Sequence, residues 1–210
     1  MPRLTPLLLL ATAATAHFTI NTPPQKSPSS ESALEKGPCG GAILSFDSPD
    51  SVADFHVAGD AVAVTGTHPE SNWLLRATND SSGGGGWRAV WPVIRQAGLG
   101  KMCQESVTVP EEWVGQEGLI GVVANAEDGI LFGCSQVRFV EGTGEKPSSC
   151  TNTTSDISAT DDPDLDEFAT SSGADAGSDH PEVDDDDDAS PGLRVGLLSV
   201  GLGALAALFL

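Results

Sequence analysis

The chain has 210 residues, with 30 acidic and 10 basic side chains and a formal net charge of −20. That charge disfavours nucleic acids as partners, because the phosphate backbone would be repelled. The acidic residues are unevenly placed, since 14 of the 30 lie between residues 152 and 190, where there is no Lys or Arg. Much of the charge therefore belongs to one segment and not to the part of the chain that we expect to fold.

Residues 1–16 have the pattern of a secretory signal peptide. Arg3 gives the positive start, residues 4–10 the apolar run, and Ala14 and Ala16 the small residues before a cleavage site. Cleavage after Ala16 makes His17 the first residue of the mature chain, so its α-amine and imidazole both become available to a metal. The alternative is that cleavage merely happens to fall before a histidine.

Strand signals dominate the next part of the chain, and no segment shows a sustained 3.6-residue apolar period. Pro92 favours an edge strand or a bulge, and Asp128-Gly129 between two apolar runs predicts a hairpin. Many short strands separated by turns predict an antiparallel β-sandwich. The predicted strands are residues 17–21, 42–46, 61–65, 73–77, 89–94, 119–124 and 130–140.

Four cysteines lie in or at the edge of this region, and an even number in a secreted chain predicts two disulfides. Three pairings are possible, of which we favour Cys39–Cys134 with Cys103–Cys150. The Asn79 and Asn152 sequons are N-glycosylation acceptors, which predicts that both lie on the surface.

The sequence at the end of the chain predicts a stalk and a membrane anchor. Residues 151–190 are acidic and rich in Ser and Thr, which predicts a disordered, O-glycosylated stalk. Residues 191–210 end in a short apolar run preceded by small residues, the pattern of a removed GPI-attachment signal. A tail-anchoring helix is the alternative. One compact domain, residues 17–150, remains between the two ends.

Three residues of this domain together suggest a metal site. His68 ends a predicted strand at Thr67-His68-Pro69, and Asp128 lies in the predicted hairpin. Singly, each has an ordinary explanation, a surface histidine or a turn aspartate. With the His17 amine and imidazole they form a nitrogen-rich donor set, which Zn²⁺ would accept and which Cu²⁺ prefers. His56 is a third histidine of the domain. No nucleophile elbow or phosphate loop accompanies them.

Four motifs resemble those of the fungal copper acquisition factors, a family similar to lytic polysaccharide monooxygenases. The resemblance covers residues 1–150, and the acidic stalk and anchor are also of the family's kind. The motifs are HFTINTPP at 17–24, GPCGG at 37–41, THP at 67–69 and DGILFGC at 128–134.

The resemblance implies an immunoglobulin- or fibronectin-like sandwich and a copper ion held by a histidine brace. The brace would consist of the His17 amine and imidazole and the His68 imidazole, with Asp128 completing the site. It further implies a monomeric, extracellular, non-enzymatic protein on the outer leaflet of the plasma membrane. There it would acquire copper for a receiving partner such as a membrane copper transporter.

The sequence departs from the family's pattern at two places. His56 stands in Asp54-Phe55-His56-Val57, where the family usually has Phe-Pro-Val, and we interpret it as a bystander. Gln136 replaces an acidic residue that some members carry, and if that residue were the third ligand, Asp128 would not be. Two other functions remain open: a copper monooxygenase acting on a wall glycan, and a structural wall protein with a vestigial brace.

Overall fold

The computed structural model describes residues 17–27, 29–153 and 156–170. This part of the chain forms ten strands, one α-helix and three short 3₁₀ helices. The strands are β1 Phe18–Thr22, β2 Ala53–His56, β3 Asp60–Gly66, β4 Glu70–Thr78, β5 Arg88–Ala89, β6 Ile94–Ala97, β7 Gly100–Val107, β8 Glu117–Ala126, β9 Gly129–Val140 and β10 Asp156–Ala159. The helix α1 is Pro163–Ala169, and the 3₁₀ helices are Glu31–Ala33, Pro49–Ser51 and Glu111–Trp113.

Two sheets make the sandwich that the sequence predicts. A three-stranded sheet has the order β1-β3-β7, and a seven-stranded sheet has the order β10-β6-β4-β8-β9-β2, with β5 paired to β4. Every strand pair in the described residues is antiparallel except β2–β9, which is parallel. The all-β sandwich is therefore confirmed, with one parallel edge strand that the sequence analysis did not predict.

The main core lies between the two sheets. β3 and β7 contribute Val64 and Met102, and β4 and β8 contribute Trp73 and Val122; each of these is fully buried. Phe18 of β1 packs edge-to-face on Trp73, with ring centroids 5.4 Å apart. That aromatic contact fixes β1 against the sandwich.

Several strand predictions differ from the structure. Residues 42–46 form no strand; Leu44 and Phe46 instead pack against a second cluster that includes Trp87. The run at 89–94 splits into β5 and β6 on either side of Pro92, which supplies no N–H to a ladder. The hairpin of β8 and β9 is present, and its two turn residues are Glu127 and Asp128.

Both favoured disulfides are present. Cys39 bonds to Cys134 and Cys103 to Cys150. Asn79 and Asn152 are both exposed.

Part of the segment expected to be a disordered stalk is ordered. β10 pairs with β6 in register from Asp156↔Ala97 to Ala159↔Ile94, and α1 buries Leu165 completely against Leu74 and Val123. The expectation of disorder is therefore wrong for residues 156–170, because Ile157, Leu165 and Phe168 supply apolar contacts to the sheet. The predicted signal peptide, residues 154, 155 and 171–190 of the predicted stalk, and the GPI signal lie outside the described residues. No helix in the described part is long and apolar enough to cross a membrane.

Candidate metal centre

The pairing of β1 with β3 places residue 17 beside the end of β3. Phe18 pairs with Gly66, and the next N–H, from Thr67, donates to the carbonyl of His17 at 3.1 Å. The His17 backbone nitrogen donates to Thr67 Oγ1 at 2.7 Å, and that hydroxyl donates to the His17 carbonyl at 2.7 Å. The start of the expected mature chain is thus attached to the residue that precedes His68.

His68 lies in the short connection between β3 and β4. The side chain is 3% exposed, and Pro69 separates it from the first residue of β4, Glu70. The Pro ring fixes the chain direction at this point. Among the described residues, none makes a hydrogen bond to His68 Nε2, although the atom is buried.

Asp128 reaches His68 from the β8–β9 turn. Its Oδ1 lies 2.9 Å from His68 Nε2, an ion-pair distance that lacks hydrogen-bond geometry, and its side chain is 40% exposed. The carboxylate therefore covers the outer side of a buried imidazole nitrogen. A buried nitrogen without a hydrogen bond, next to a half-exposed carboxylate, fits a pair of donors for a cation better than it fits packing alone.

Two of the three predicted ligands, His68 and Asp128, are in direct contact. The third, His17, is held through its backbone next to Thr67, the neighbour of His68. In the described part of the chain, no three His, Cys, Asp or Glu side chains form a metal-binding group. The predicted site has three such side chains, those of His17, His68 and Asp128, so the structure does not group the His17 imidazole with the other two. In the uncut chain the nitrogen of residue 17 is a peptide amide, which is not a metal donor of this kind.

A cavity lies beside the chain segments that flank His68 and Asp128. It has a volume of about 280 Å³ and is lined by residues 69–72 and 125–127, the chain segments next to the two side chains. Glu70 of this wall pairs with Arg95 at 2.8 Å.

Two features near the site were missed by the sequence analysis. One is the Thr67 hydroxyl, whose contact follows from the β1–β3 register. The other is Asp162, a buried carboxylate at the start of α1, which accepts from Asn72 Nδ2 at 2.8 Å and from Asn125 Nδ2 at 3.0 Å. Asn72 and Asn125 are directly opposite on β4 and β8. Only the Asp162-Pro163 pair, a helix N-cap followed by Pro at N1, could have signalled this helix start.

His56 and Gln136 lie elsewhere. His56 Nδ1 is 2.7 Å from Asp60 Oδ2, at the opposite end of β3 from Gly66, which is about 20 Å along a strand of this length. Gln136 Nε2 donates to the carbonyl of Ser45. Gln136 lies on β9, eight residues after Asp128, and that separation is about 25 Å along the strand. An acidic residue at 136 would thus not reach His68.

Comparison with known proteins identifies the family of the chain. A family model described as copper acquisition factor BIM1-like matches residues 15–155, which is about two thirds of the chain. The match contains His17, His68 and Asp128 and ends before β10 and α1. Among curated proteins, none matches the chain. On the extent of the family match, this chain belongs to the family of BIM1-like copper acquisition factors.

Proposed function

We propose that the chain, once cut between Ala16 and His17, binds copper at the cell surface and holds it for uptake. The donors are the His17 amine and imidazole, His68 Nε2 and the Asp128 carboxylate. Copper is the cargo in this account. We further propose that the protein acts as a monomer, on the outer face of the plasma membrane, and passes its ion to a membrane transporter.

The observation that carries the proposal is the contact of 2.9 Å between His68 Nε2 and Asp128 Oδ1. Two side chains of the kinds that Cu²⁺ prefers meet at the end of one sheet, and the buried nitrogen has no hydrogen bond. The family match supports copper as the ion.

The position of residue 17 supports a chelating N-terminus. Its backbone carbonyl and nitrogen both contact Thr67, the neighbour of His68. Removal of residues 1–16 would convert this nitrogen from an amide into an amine without altering the β1–β3 register.

Disulfides and sequons support an extracellular location. Two disulfides and no free cysteine in the described residues are typical of secreted proteins. The exposed Asn79 and Asn152 are suitable acceptors for glycans. The apolar run and the small residues of 191–210 support attachment to the membrane through a GPI anchor.

Asp128 supports binding of copper over its use in oxidation. A carboxylate on Cu²⁺ stabilises the more highly charged oxidation state, and it occupies a position that dioxygen would otherwise take. Storage and transfer of copper need neither dioxygen nor a glycan cleft.

Copper titration of two forms of the protein tests the proposal. One begins at His17, and the other retains Ala16 with its amine acetylated and is otherwise identical. Because the extension turns the amine into an amide, we expect Cu²⁺ affinity to fall by more than about 100-fold. Equal affinity of the two forms would overturn the proposal.

A further inference from the structure

Thr67 makes an unusual set of contacts to one residue. Its Oγ1 lies 2.7 Å from the backbone nitrogen of His17 and 2.7 Å from the backbone oxygen of the same residue. Its backbone N–H donates to that oxygen as well, at 3.1 Å. Three hydrogen bonds therefore join Thr67 to the main chain of His17, and only one of them belongs to the ladder pattern of β1 and β3.

The chemistry of a hydroxyl matches this arrangement. A threonine hydroxyl has one hydrogen to donate and two lone pairs to accept with. It can donate to the His17 carbonyl while it accepts from the His17 nitrogen. Val in its place would keep the shape of the side chain but would have neither capacity.

The contact to the nitrogen has a particular consequence once the chain is cut. The nitrogen of an N-terminal residue is held covalently on one side only, so rotation about the Cα–C bond of residue 17 moves the amine. The backbone bond from Thr67 to the His17 carbonyl does not oppose that rotation. The hydroxyl does, because it holds the nitrogen and the oxygen of residue 17 at once.

We propose that Thr67 is a positioning residue that fixes the direction of the His17 amine toward the His68–Asp128 pair. An amine whose lone pair binds a metal retains two hydrogens, and one of them donates to Thr67 Oγ1. This inference rests on the proposed function. It adds Thr67, which contacts the copper ligand His17 and does not contact the copper ion itself.

The test compares Thr67→Val with Thr67→Ser in the form that begins at His17. Thr67 is exposed, so both side chains fit without displacing the core. The matched control is Thr65→Val, two residues earlier and on β3, which removes a hydroxyl that donates to Asn21 Oδ1 at 2.6 Å. Cu²⁺ affinity and the copper hyperfine splitting in the EPR spectrum are measured, together with the melting temperature of each copper-free protein.

Thr67→Val should weaken Cu²⁺ binding about 10-fold, as is typical when the partner of a ligand is lost, and should shift the hyperfine splitting. Thr67→Ser and Thr65→Val should keep the wild-type affinity and spectrum. Thr67→Ala, which cannot introduce a clash, should repeat the result of Thr67→Val, so that misfolding of one variant does not decide the outcome.

A Thr67→Val protein with the wild-type affinity and spectrum would overturn the inference, as would a Thr67→Ser protein as impaired as Thr67→Val. Both results leave the proposed copper site intact if the wild type binds more tightly than its Ala16-extended form. If the wild type shows no such preference, the proposed function fails, and the role of Thr67 fails with it.

Discussion

His68 Nε2 and Asp128 Oδ1 lie 2.9 Å apart, although 60 residues of chain separate them. The contact follows from the pairing of β4 with β8, in which Ser71 is opposite Ala126. The connection that enters β4 and the turn that leaves β8 therefore lie at the same end of the sheet. The pairing of these strands brings an imidazole and a carboxylate together.

The first prediction concerns the two histidines. His68→Ala should reduce Cu²⁺ affinity by more than about 100-fold, because a directly bound nitrogen is lost. His56→Ala should leave the affinity within about twofold, because His56 pairs with Asp60 at the far end of β3. Even the loss of a group that hydrogen-bonds a metal ligand lowers metal affinity by only about 10–100-fold. Isothermal titration of both variants checks this, and similar losses from the two would contradict the assignment.

Asp128 should control the oxidation state that the site prefers. Asp128→Asn keeps the size of the turn residue but removes the anion, so the Cu²⁺/Cu⁺ potential should rise and Cu²⁺ affinity should fall. Voltammetry and titration measure the two effects. Glu127→Gln removes the neighbouring exposed charge of the same turn and serves as the control. An equal shift in both variants would show that only the local charge matters, and not the contact to His68.

Glycan oxidation should be absent if Asp128 acts as a copper ligand. With ascorbate and dioxygen, the copper-loaded protein should release no oxidised oligosaccharides from chitin or glucan, as read by mass spectrometry. A lytic polysaccharide monooxygenase under the same conditions provides the positive control. Multiple turnovers on either glycan would contradict the copper acquisition function and support the monooxygenase function.

The helix α1 should contribute to the stability of the domain. Leu165 is fully buried against Leu74 and Val123, so Leu165→Ala should lower the free energy of unfolding by about 2–5 kcal/mol. Glu167→Ala, on the exposed side of the same helix, should change it by less than about 0.5 kcal/mol. Denaturant unfolding of both variants measures this. If Leu165→Ala were as neutral as Glu167→Ala, α1 would not be part of the folded domain.

The sequence predicted the long strands and the candidate ligands, because both depend on local signals. Residues 119–124 and 130–140 are apolar and flank an Asp-Gly pair, which is enough to indicate β8, β9 and the turn that carries Asp128. Thr67-His68-Pro69 marks the end of β3 in the same way. The disulfide pairing was one of three that the residues alone left open.

Other elements could not be predicted, because their stability comes from tertiary contacts. β7 is largely polar, and it is a strand because it pairs with β3. β2 is short and depends on its parallel pairing with β9. The acidic charge of the segment after Cys150 predicted disorder, although the segment contains Leu165 and Phe168, two apolar residues that pack on the sheet.

The central claim is tested most directly by the number of nitrogens bound to copper in the protein that begins at His17. Pulsed EPR of the Cu²⁺ form should show three bound nitrogens, two from imidazoles and one from the amine. The Ala16-extended form should show loss of the amine nitrogen. A spectrum with imidazole nitrogens alone in the His17 form, unchanged by the extension, would contradict the account.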